Sequence, residues 1–327
     1  MYLLLGLGSA ALALVLTPLV GRASALLGLV DAPGGRKVHT HSVPRTGGLA
    51  VVTAATLTLA AGFLLLPEMR APGAWAALRP LVLSGAVIFL LGLLDDVRGV
   101  GPGVKLAVEL VAALILMGSG LLIERITLPG STWTLGWLAL PVTAVWLVGM
   151  TNAFNLIDGL DGLAPGIAAV AGGACGAILI ARGHAPEAML LAAFVGALLG
   201  FLVYNFDPAS IFLGDSGSLL AGFLLAATAI SGWQKGATAL ATAVPLLIFA
   251  LPIADAALTL MRRSVSGSRG GQSFKDTLRH IAQPDREHIH HRLLASGWSV
   301  RRTVITLYLV TAVLSLLALA SADLQPR

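Results

Sequence analysis

Long apolar runs separated by short polar connectors make up most of this chain. Runs of about 20 apolar residues have the length of a membrane-spanning helix, and Gly, Ala and Ser are frequent within them, as in helices that pack closely in lipid. The pattern predicts an all-α polytopic integral membrane protein, a bundle of about ten transmembrane helices. The expected spans are 2–21, 47–66, 80–95, 105–123, 137–156, 163–181, 187–204, 211–230, 238–261 and 302–321.

The composition supports the same class of protein. The 327 residues are 57% hydrophobic and 11% charged, and the mean hydropathy is +0.88, whereas soluble globular domains carry about 25% charged residues. The longest connectors are 22–46 and 262–301, so we expect a single transmembrane domain over 1–327. Tyr2–Val20 has no basic region before it and is long enough to span, which favours a first helix over a cleaved signal.

The single cysteine excludes some kinds of site, and the basic residues predict the orientation of the chain in the membrane. Cys175 alone excludes a disulfide or a cysteine-based metal site within one chain. If loop 22–46 is cytoplasmic, the connectors 22–46, 97–105 and 262–302 hold 4, 2 and 9 basic residues, which is 15 of the 21 in the chain. The excess of Lys and Arg on cytoplasmic loops then predicts that both termini lie outside, and that the polar clusters described below face the cytoplasm.

Two adjacent acidic residues, Asp95 and Asp96, end the apolar run 81–94. Carboxylates at membrane depth are costly and usually mark sites that handle ions or phosphates. Oxygen ligands of this kind suit Mg²⁺, which takes one or two carboxylates together with waters and substrate phosphates. The alternative is a solvated helix end. Two neighbouring acids make this alternative weaker than a single acid would.

A second polar cluster repeats at every third position at the end of the span 137–156. A 3₁₀ turn would align these side chains in one row, while an α-helix would spread them over about half its circumference. Gly159 and Gly162 would let the backbone approach a ligand closely. Structural contacts between helices are the alternative interpretation. The four side chains are Asn152, Asn155, Asp158 and Asp161.

The third cluster follows Pro208, where one span ends and the next begins near Gly214. Asp215 is therefore expected near a helix N-terminus, a position that already favours anions. A carboxylate there makes most sense if a cation shares the site, although an N-cap role is the simpler alternative. Phe212 is a candidate for stacking on a nucleotide base, or else a lipid-facing side chain.

Histidines and arginines form a fourth cluster in the connector 262–301. His288, His290 and His291, followed by Arg292, are compatible with zinc binding, phosphate binding or a solvated loop. Phosphate fits the neighbouring positive charge best.

Two further features lie on the same predicted side of the membrane. The turn-rich loop that contains Lys37, His39 and Arg45 is basic and suits an anionic ligand or anionic lipid headgroups equally well. Asp255 lies inside a span, so we expect it to face the interior of the bundle.

Taken in order, these motifs resemble the polyprenyl-phosphate N-acetylhexosamine-1-phosphate transferase family (glycosyltransferase family 4) over roughly residues 31–297. The form of the histidine motif is closer to the enzymes that start O-antigen, enterobacterial common antigen or wall teichoic acid. The phospho-N-acetylmuramoyl-pentapeptide transferases usually carry three consecutive histidines followed by Phe-Glu, which this chain lacks. The matching segments are 37–39, 44–48, 95–96, 155–162, 212–217 and 288–293.

The resemblance implies a reaction and its cofactor. A UDP-N-acetylhexosamine, most often UDP-N-acetylglucosamine, would transfer its sugar 1-phosphate to undecaprenyl phosphate in the bacterial inner membrane and release UMP. Mg²⁺, with Mn²⁺ as a substitute, would be held by Asp215 with Asp95 and Asp96. Whether transfer is direct or passes through an aspartyl intermediate stays open.

The resemblance also implies roles for the remaining motif residues. Asn152, Asn155, Asp158 and Asp161 would hold the nucleotide sugar, and Phe212 would stack on uracil. His290 and His291 would act on the diphosphate or sugar with His288 and Arg292 beside them. Lys37, His39 and Arg45 would close over the substrates from the first loop.

A transporter or channel is the main alternative from another class, because acids and ten helices are ordinary there too. It would place polar residues near the bilayer midplane and show inverted repeats, and the sequence has neither. A non-catalytic lipid-binding protein would leave the many carboxylates unexplained. The expected partners are the UDP-sugar, undecaprenyl phosphate and membrane lipid, without nucleic acid. The oligomeric state, a homodimer included, stays open.

Overall fold

The computed structural model describes residues 1–31, 42–128, 131–233, 239–268 and 288–323. Two short antiparallel hairpins join Val30–Asp31 to Val43–Pro44 and Arg125–Leu128 to Ser131–Thr134, and helices make up most of the rest. In chain order the helices are α1 (Tyr2–Leu26), α2 (Gly47–Leu65), α3 (Ala74–Arg98), α4 (Pro102–Gly118), α5 (Ala139–Ile157), α6 (Leu163–Ala181), α7 (Ala185–Asn205), α8 (Gly214–Trp233), α9 (Ala239–Ile248), α10 (Ala250–Ser268), α11 (Ile289–Ala295) and α12 (Val300–Asp323).

Within the described residues, eight helical segments are long and apolar enough to cross a membrane. They confirm an all-α polytopic protein, while the expected count of ten is not confirmed. α4 has only 17 residues and carries Lys105 and Glu109 on its first two turns. The eight segments are α1, α2, α3, Gly136–Ile157, α6, α7, Gly214–Gly232 and Val300–Ala322.

The expected span 238–261 is wrong as a single helix, because α9 ends at Ile248 and α10 begins at Ala250. Pro252 has no amide hydrogen, so the carbonyl of Ile248 loses the donor that would continue the helix. α10 also extends to Ser268, well into the connector that was expected to begin at 262.

α8 lies at the centre of the bundle and packs against α2, α3, α5 and α6. Its apolar window is 89% buried inside the protein, against 22% for α1, as expected for a helix that is apolar on all sides. Close approach depends on small residues. A Cβ added at Gly92 of α3 would overlap the backbone of Asp215, and one at Gly222 of α8 would overlap the backbone of Met150.

Helix termini that carry the polar motifs meet at one end of the bundle. The C-terminal ends of α3, α5, α7 and the N-terminal ends of α2, α4, α6, α8 contact one another there through polar side chains. For example, Asn205 at the end of α7 accepts a hydrogen bond from the amide of Gly162, which precedes α6 (3.1 Å). The hydroxyl of Tyr308 in α12 donates to the carbonyl of the same glycine.

Candidate active site

Three charged side chains from three helices form the centre of the candidate site. The ammonium of Lys105 in α4 lies 2.9 Å from Oδ2 of Asp95 in α3 and 2.5 Å from Oδ2 of Asp215 in α8. The other oxygen of Asp95 accepts a hydrogen bond from the amide of Val100 (2.6 Å), which orders the turn between α3 and α4. Two acidic groups thus share one cation.

Asp96 has a different environment from its neighbour. It is buried, and Oδ1 accepts a hydrogen bond from the amide of Asp215 (2.8 Å). Oδ2 accepts from the amide (3.1 Å) and the hydroxyl (2.6 Å) of Ser216. A carboxylate is favourable at a helix N-terminus because it satisfies free amides and complements the helix dipole. Asp96 therefore caps α8 from α3.

The role predicted for Asp96 as a catalytic residue and metal ligand beside Asp95 stays a prediction, and the structure adds this capping contact. Both oxygens of Asp96 are engaged by α8, which positions Asp215. Successive residues on an α-helix point about 100° apart, which is why Asp95 and Asp96 face different partners. The absence of a side chain at Gly92, one turn earlier, lets α3 come close enough for this contact.

The first-loop glycine motif packs against the segment that precedes α8. The amide of Phe212 donates to the carbonyl of Pro44 (2.8 Å), and the amides of Gly47 and Gly48 donate to the carbonyls of Phe212 (2.9 Å) and Leu213 (2.7 Å). A Cβ at Gly48 would overlap the backbone of Gly217. This motif therefore has a structural role that the sequence did not reveal.

Other predicted residues of the first loop are only partly described. Arg45 is half-buried, and its Nε has no hydrogen-bond partner among the described residues. Phe212 is also half-buried, and its amide donates to the carbonyl of Pro44, the residue before Arg45. Lys37 and His39 lie outside the described residues.

The four polar residues that recur every third position are divided between a helix and a turn. Asn152 and Asn155 lie on α5, where they donate to Oε2 of Glu109 (2.6 Å) and to the hydroxyl of Ser218 (3.0 Å). α5 ends at Ile157, so the four side chains form neither a continuous 3₁₀ row nor a continuous helical arc.

The two aspartates of this group lie in the turn that follows α5. Oδ2 of Asp161 accepts a hydrogen bond from the amide of Ala209 (2.8 Å), which ties the turn to the loop before α8. Burial, followed by the negative charges of Asp215, Asp96 and Asp161, raises the pKa of Asp158 well above its ordinary value.

The three histidines lie at the start of the short helix α11 and pack ring against ring. The rings of His288 and His290 are parallel at 5.6 Å, and those of His290 and His291 lie 4.4 Å apart. His288 and His290 are buried, while Arg292 is exposed. Burial, followed by the charge of His291, lowers the pKa of His290 to about 4, so this ring is neutral at pH 7.

Gly159 brings the histidines to the turn after α5. A Cβ at Gly159 would lie 2.7 Å from Nε2 of His290, so only glycine leaves room for this ring. Among the described residues, no group of three or more His, Cys, Asp or Glu side chains is arranged to hold a metal ion. The zinc interpretation of the histidine motif therefore finds no support in that part of the chain.

Lys105 and Glu109 are the site residues that the sequence analysis did not single out. Glu109 is 1% exposed, and its Oε1 has no hydrogen-bond partner among the described residues. The available signal was a pair of charged residues four positions apart in a run otherwise apolar, which places both on one face of a helix. Such a face has to point into the protein.

Comparisons with known proteins identify the family of the chain. The profile of Glycosyl transferase family 4 matches residues 78–233, which include the central charged cluster. The chain is 35% identical over 309 residues to the "Probable undecaprenyl-phosphate N-acetylglucosaminyl 1-phosphate transferase" of Bacillus subtilis (strain 168), over 94% of this chain and 81% of the relative.

Two further relatives help to separate branches of the family. The chain is 33% identical over 350 residues to the "Decaprenyl-phosphate N-acetylglucosaminephosphotransferase" of Mycobacterium leprae (strain TN), over 99% of this chain and 84% of the relative. A "Phospho-N-acetylmuramoyl-pentapeptide-transferase" of Halalkalibacterium halodurans is 36% identical over 245 residues, which is 70% of each chain. Similarity to the N-acetylglucosamine enzymes thus extends over more of the sequence.

Proposed function

The chain belongs to glycosyl transferase family 4, and we propose that it transfers N-acetylglucosamine 1-phosphate from UDP-N-acetylglucosamine to undecaprenyl phosphate. The products are undecaprenyl-pyrophosphoryl N-acetylglucosamine, which starts a cell-envelope polysaccharide, and UMP. The names of the relatives, which act on undecaprenyl or decaprenyl phosphate, support both the acceptor and the sugar. Phospho-N-acetylmuramoyl-pentapeptide transfer is the second candidate, supported by the shorter match.

The proposal rests mainly on one observation: the ammonium of Lys105 pairs with both Asp95 and Asp215. The reaction brings two anionic phosphates together, so the site must supply positive charge while it keeps its own carboxylates in place. Lys105 supplies one such charge at the N-terminus of α8, where backbone amides also favour anions. Catalysis of phosphoryl transfer rests mainly on positioning and on charge stabilisation of this kind.

A divalent cation fits this donor set. Asp95 and Asp215 approach one ammonium from two helices, so their oxygens can also converge on a metal. Two hard carboxylates are what Mg²⁺ takes from a protein when substrate phosphates and water complete its shell. When bound, Mg²⁺ or Mn²⁺ would neutralise charge on the diphosphate and on the leaving UMP.

The surrounding residues bind the two substrates in this proposal. Asn152, Asn155, Asp158 and Asp161 hold the nucleotide sugar, and Phe212 stacks on uracil. His290, His291, His288 and Arg292 contact the diphosphate or sugar, and Lys37, His39 and Arg45 approach from the first loop. The acceptor phosphate needs no strong base, because a phosphate monoester with a second pKa of about 6 is mostly dianionic at neutral pH.

The excess of Lys and Arg on the connectors 22–46, 97–105 and 262–302, which hold 15 of the 21 in the chain, supports a cytoplasmic active site. Both termini then lie on the outer side of a bacterial inner membrane. This orientation suits a nucleotide-sugar donor, which is made in the cytoplasm.

The decisive assay incubates the purified full-length protein with undecaprenyl phosphate, Mg²⁺ and a set of UDP-sugars, and identifies the lipid product by mass spectrometry. We expect undecaprenyl-pyrophosphoryl N-acetylglucosamine and an equal amount of UMP. A product formed only from UDP-N-acetylmuramoyl-pentapeptide would support the second candidate instead. No lipid product with any UDP-sugar would overturn the proposed reaction.

A matched pair of variants tests the central carboxylate. Asp215→Asn should lower the rate on the order of 100-fold or more, since the side chain of Asp215 faces Lys105 and Asp95. Asp207→Asn is the control, because Asp207 lies in the loop before α8 and pairs with the exposed Arg301. Equal activity of both variants would contradict the role of Asp215.

A further inference from the structure

We propose that Asp255 is a positioning residue that fixes the tautomer of His288 and the orientation of α11, and thereby places His290 against the turn after α5. The proposal concerns a buried acid that the reaction described above does not use. Its effect on transfer rests on the proposed function, whereas the tautomer of His288 can be measured without it.

The first observation is that one carboxylate holds both the side chain and the backbone at the start of α11. Oδ2 of Asp255 lies 2.8 Å from Nδ1 of His288, and Oδ1 accepts a hydrogen bond from the amide of Ile289 (2.7 Å). These two contacts come from one rigid planar group on α10, so they define both the position and the rotation of the short helix.

The second observation is burial. Asp255 is 2% exposed and His288 is 5% exposed, so water does not compete effectively for their hydrogen bonds. A buried carboxylate without partners is strongly unfavourable, and here both oxygens are engaged. Thr259, one turn further along α10, places its hydroxyl 3.3 Å from the same Nδ1 and closes the cluster.

The chemistry of these groups assigns the proton. A carboxylate has only acceptor atoms, so Nδ1 of His288 must carry the hydrogen, and in the neutral ring Nε2 keeps its lone pair. His288 is therefore held as a hydrogen-bond acceptor at Nε2.

Packing contacts connect the ring of His288 to the rest of the site. The ring of His288 lies parallel to that of His290, with an interplanar angle of 4°, and Nε2 of His290 lies against Gly159. Gly159 follows Asp158 directly in the chain. The orientation of His288 is thus coupled to the turn that carries Asp158 and Asp161.

The test compares Asp255→Asn with wild type in full-length protein labelled with ¹⁵N-histidine. Asparagine keeps an oxygen for the amide of Ile289 but presents an NH₂ group to Nδ1 of His288. We expect the Nδ1–H signal of His288, assigned with His288→Gln among the 7 histidines of the chain, to be replaced by an Nε2–H signal. Transferase kcat should fall by up to about 100-fold, the loss that a small misplacement within a site can cause.

Glu187→Gln is the matched control, since Glu187 also lies beside a histidine, His184, at 3.5 Å. It removes a carboxylate next to an imidazole at the other end of the bundle and should leave both the His288 signal and kcat unchanged. An unchanged His288 tautomer in Asp255→Asn would overturn the structural part of the proposal. An altered tautomer with wild-type kcat would overturn its role in transfer, and inactive wild-type protein would instead refute the proposed function.

Discussion

Replacing Asp96 by asparagine separates two roles that the sequence alone does not distinguish. In the structure its carboxylate accepts three hydrogen bonds from the first residues of α8. Asparagine keeps the shape of the side chain but has one acceptor oxygen in place of two and no charge. If Asp96 caps α8, the variant should lose stability. If it were a metal ligand, the variant should lose Mg²⁺ affinity instead.

The magnitude follows from these contacts. If the remaining oxygen stays on the amide of Asp215, the new NH₂ group faces the buried amide of Ser216, and an unsatisfied buried donor costs about 1–3 kcal/mol. The lost interaction between the carboxylate and the N-terminus of α8 contributes about 0.3–2 kcal/mol more. We therefore expect the free energy of unfolding to fall by about 1–5 kcal/mol.

Cys175 provides the assay for this loss of stability. It is the single cysteine of the chain and is 2% exposed, so a thiol-reactive fluorescent dye reports unfolding in detergent. The melting temperature of Asp96→Asn should fall by about 2 °C or more. Any remaining transferase activity should keep the wild-type dependence on Mg²⁺ concentration.

Asp95→Asn is the control at the neighbouring position. Its remaining oxygen can still accept the hydrogen bond from Val100, and Lys105 keeps its ion pair with Asp215, so we expect only a small loss of stability. This variant should melt close to wild type but need more Mg²⁺ for activity. The reverse pattern, with Asp96→Asn stable and deficient in Mg²⁺ response, would refute the assignment of Asp96 as the cap of α8.

Three further predictions concern the same end of the bundle. Lys105→Met removes the cation between Asp95 and Asp215, so Mg²⁺ should raise its melting temperature more than that of wild type; an equal shift would argue against metal binding there. Gly159→Ala should displace the ring of His290 and lower kcat about 10-fold. The control Gly149→Ala, at a position with open space, should keep the wild-type kcat. Equal rates of the two variants would contradict the contact between Gly159 and His290. The pKa of His290 is lowered from 6.5 to about 4, so the unfolded chain takes up this proton at a higher pH than the native protein. Stability should therefore decrease as the pH falls from 6.5 towards 4, by about 3 kcal/mol at most. His290→Gln should lack this part of the acid sensitivity in melting curves at pH 7.5 and 5, and an identical pH dependence would exclude the titration of His290.

The broad architecture could be predicted because its signals are local. A run of about 20 apolar residues specifies a helix in lipid whatever surrounds it, since the backbone has to satisfy its own hydrogen bonds there. The expected bounds of α2 and α6 agree with the structure to within one residue. The expectation for 238–261 is the least accurate. Hydrophobicity alone does not show that Pro252 interrupts the helix.

The candidate site was predicted only in part. The order of the acidic and histidine motifs indicated the family, which the comparisons confirm. The motifs predicted Asp215 as a metal ligand but gave no role to Lys105, which contacts it directly, because a single lysine at the start of an apolar helix resembles an ordinary interfacial residue. Roles of individual residues stay predictions until the variants are measured.

The sequence by itself determined the class of protein, most of its helices and the set of residues at which chemistry is expected, because periodicity and apolar length act within one segment of chain. Only the tertiary structure decided that Asp95 pairs with Lys105 while Asp96 caps α8, and that Asp255 holds His288. Those partners lie 10, 119 and 33 positions apart in the chain. Their contacts depend on how far each helix is rotated and how closely glycines such as Gly92 and Gly159 let neighbouring segments approach, and no local pattern encodes that geometry.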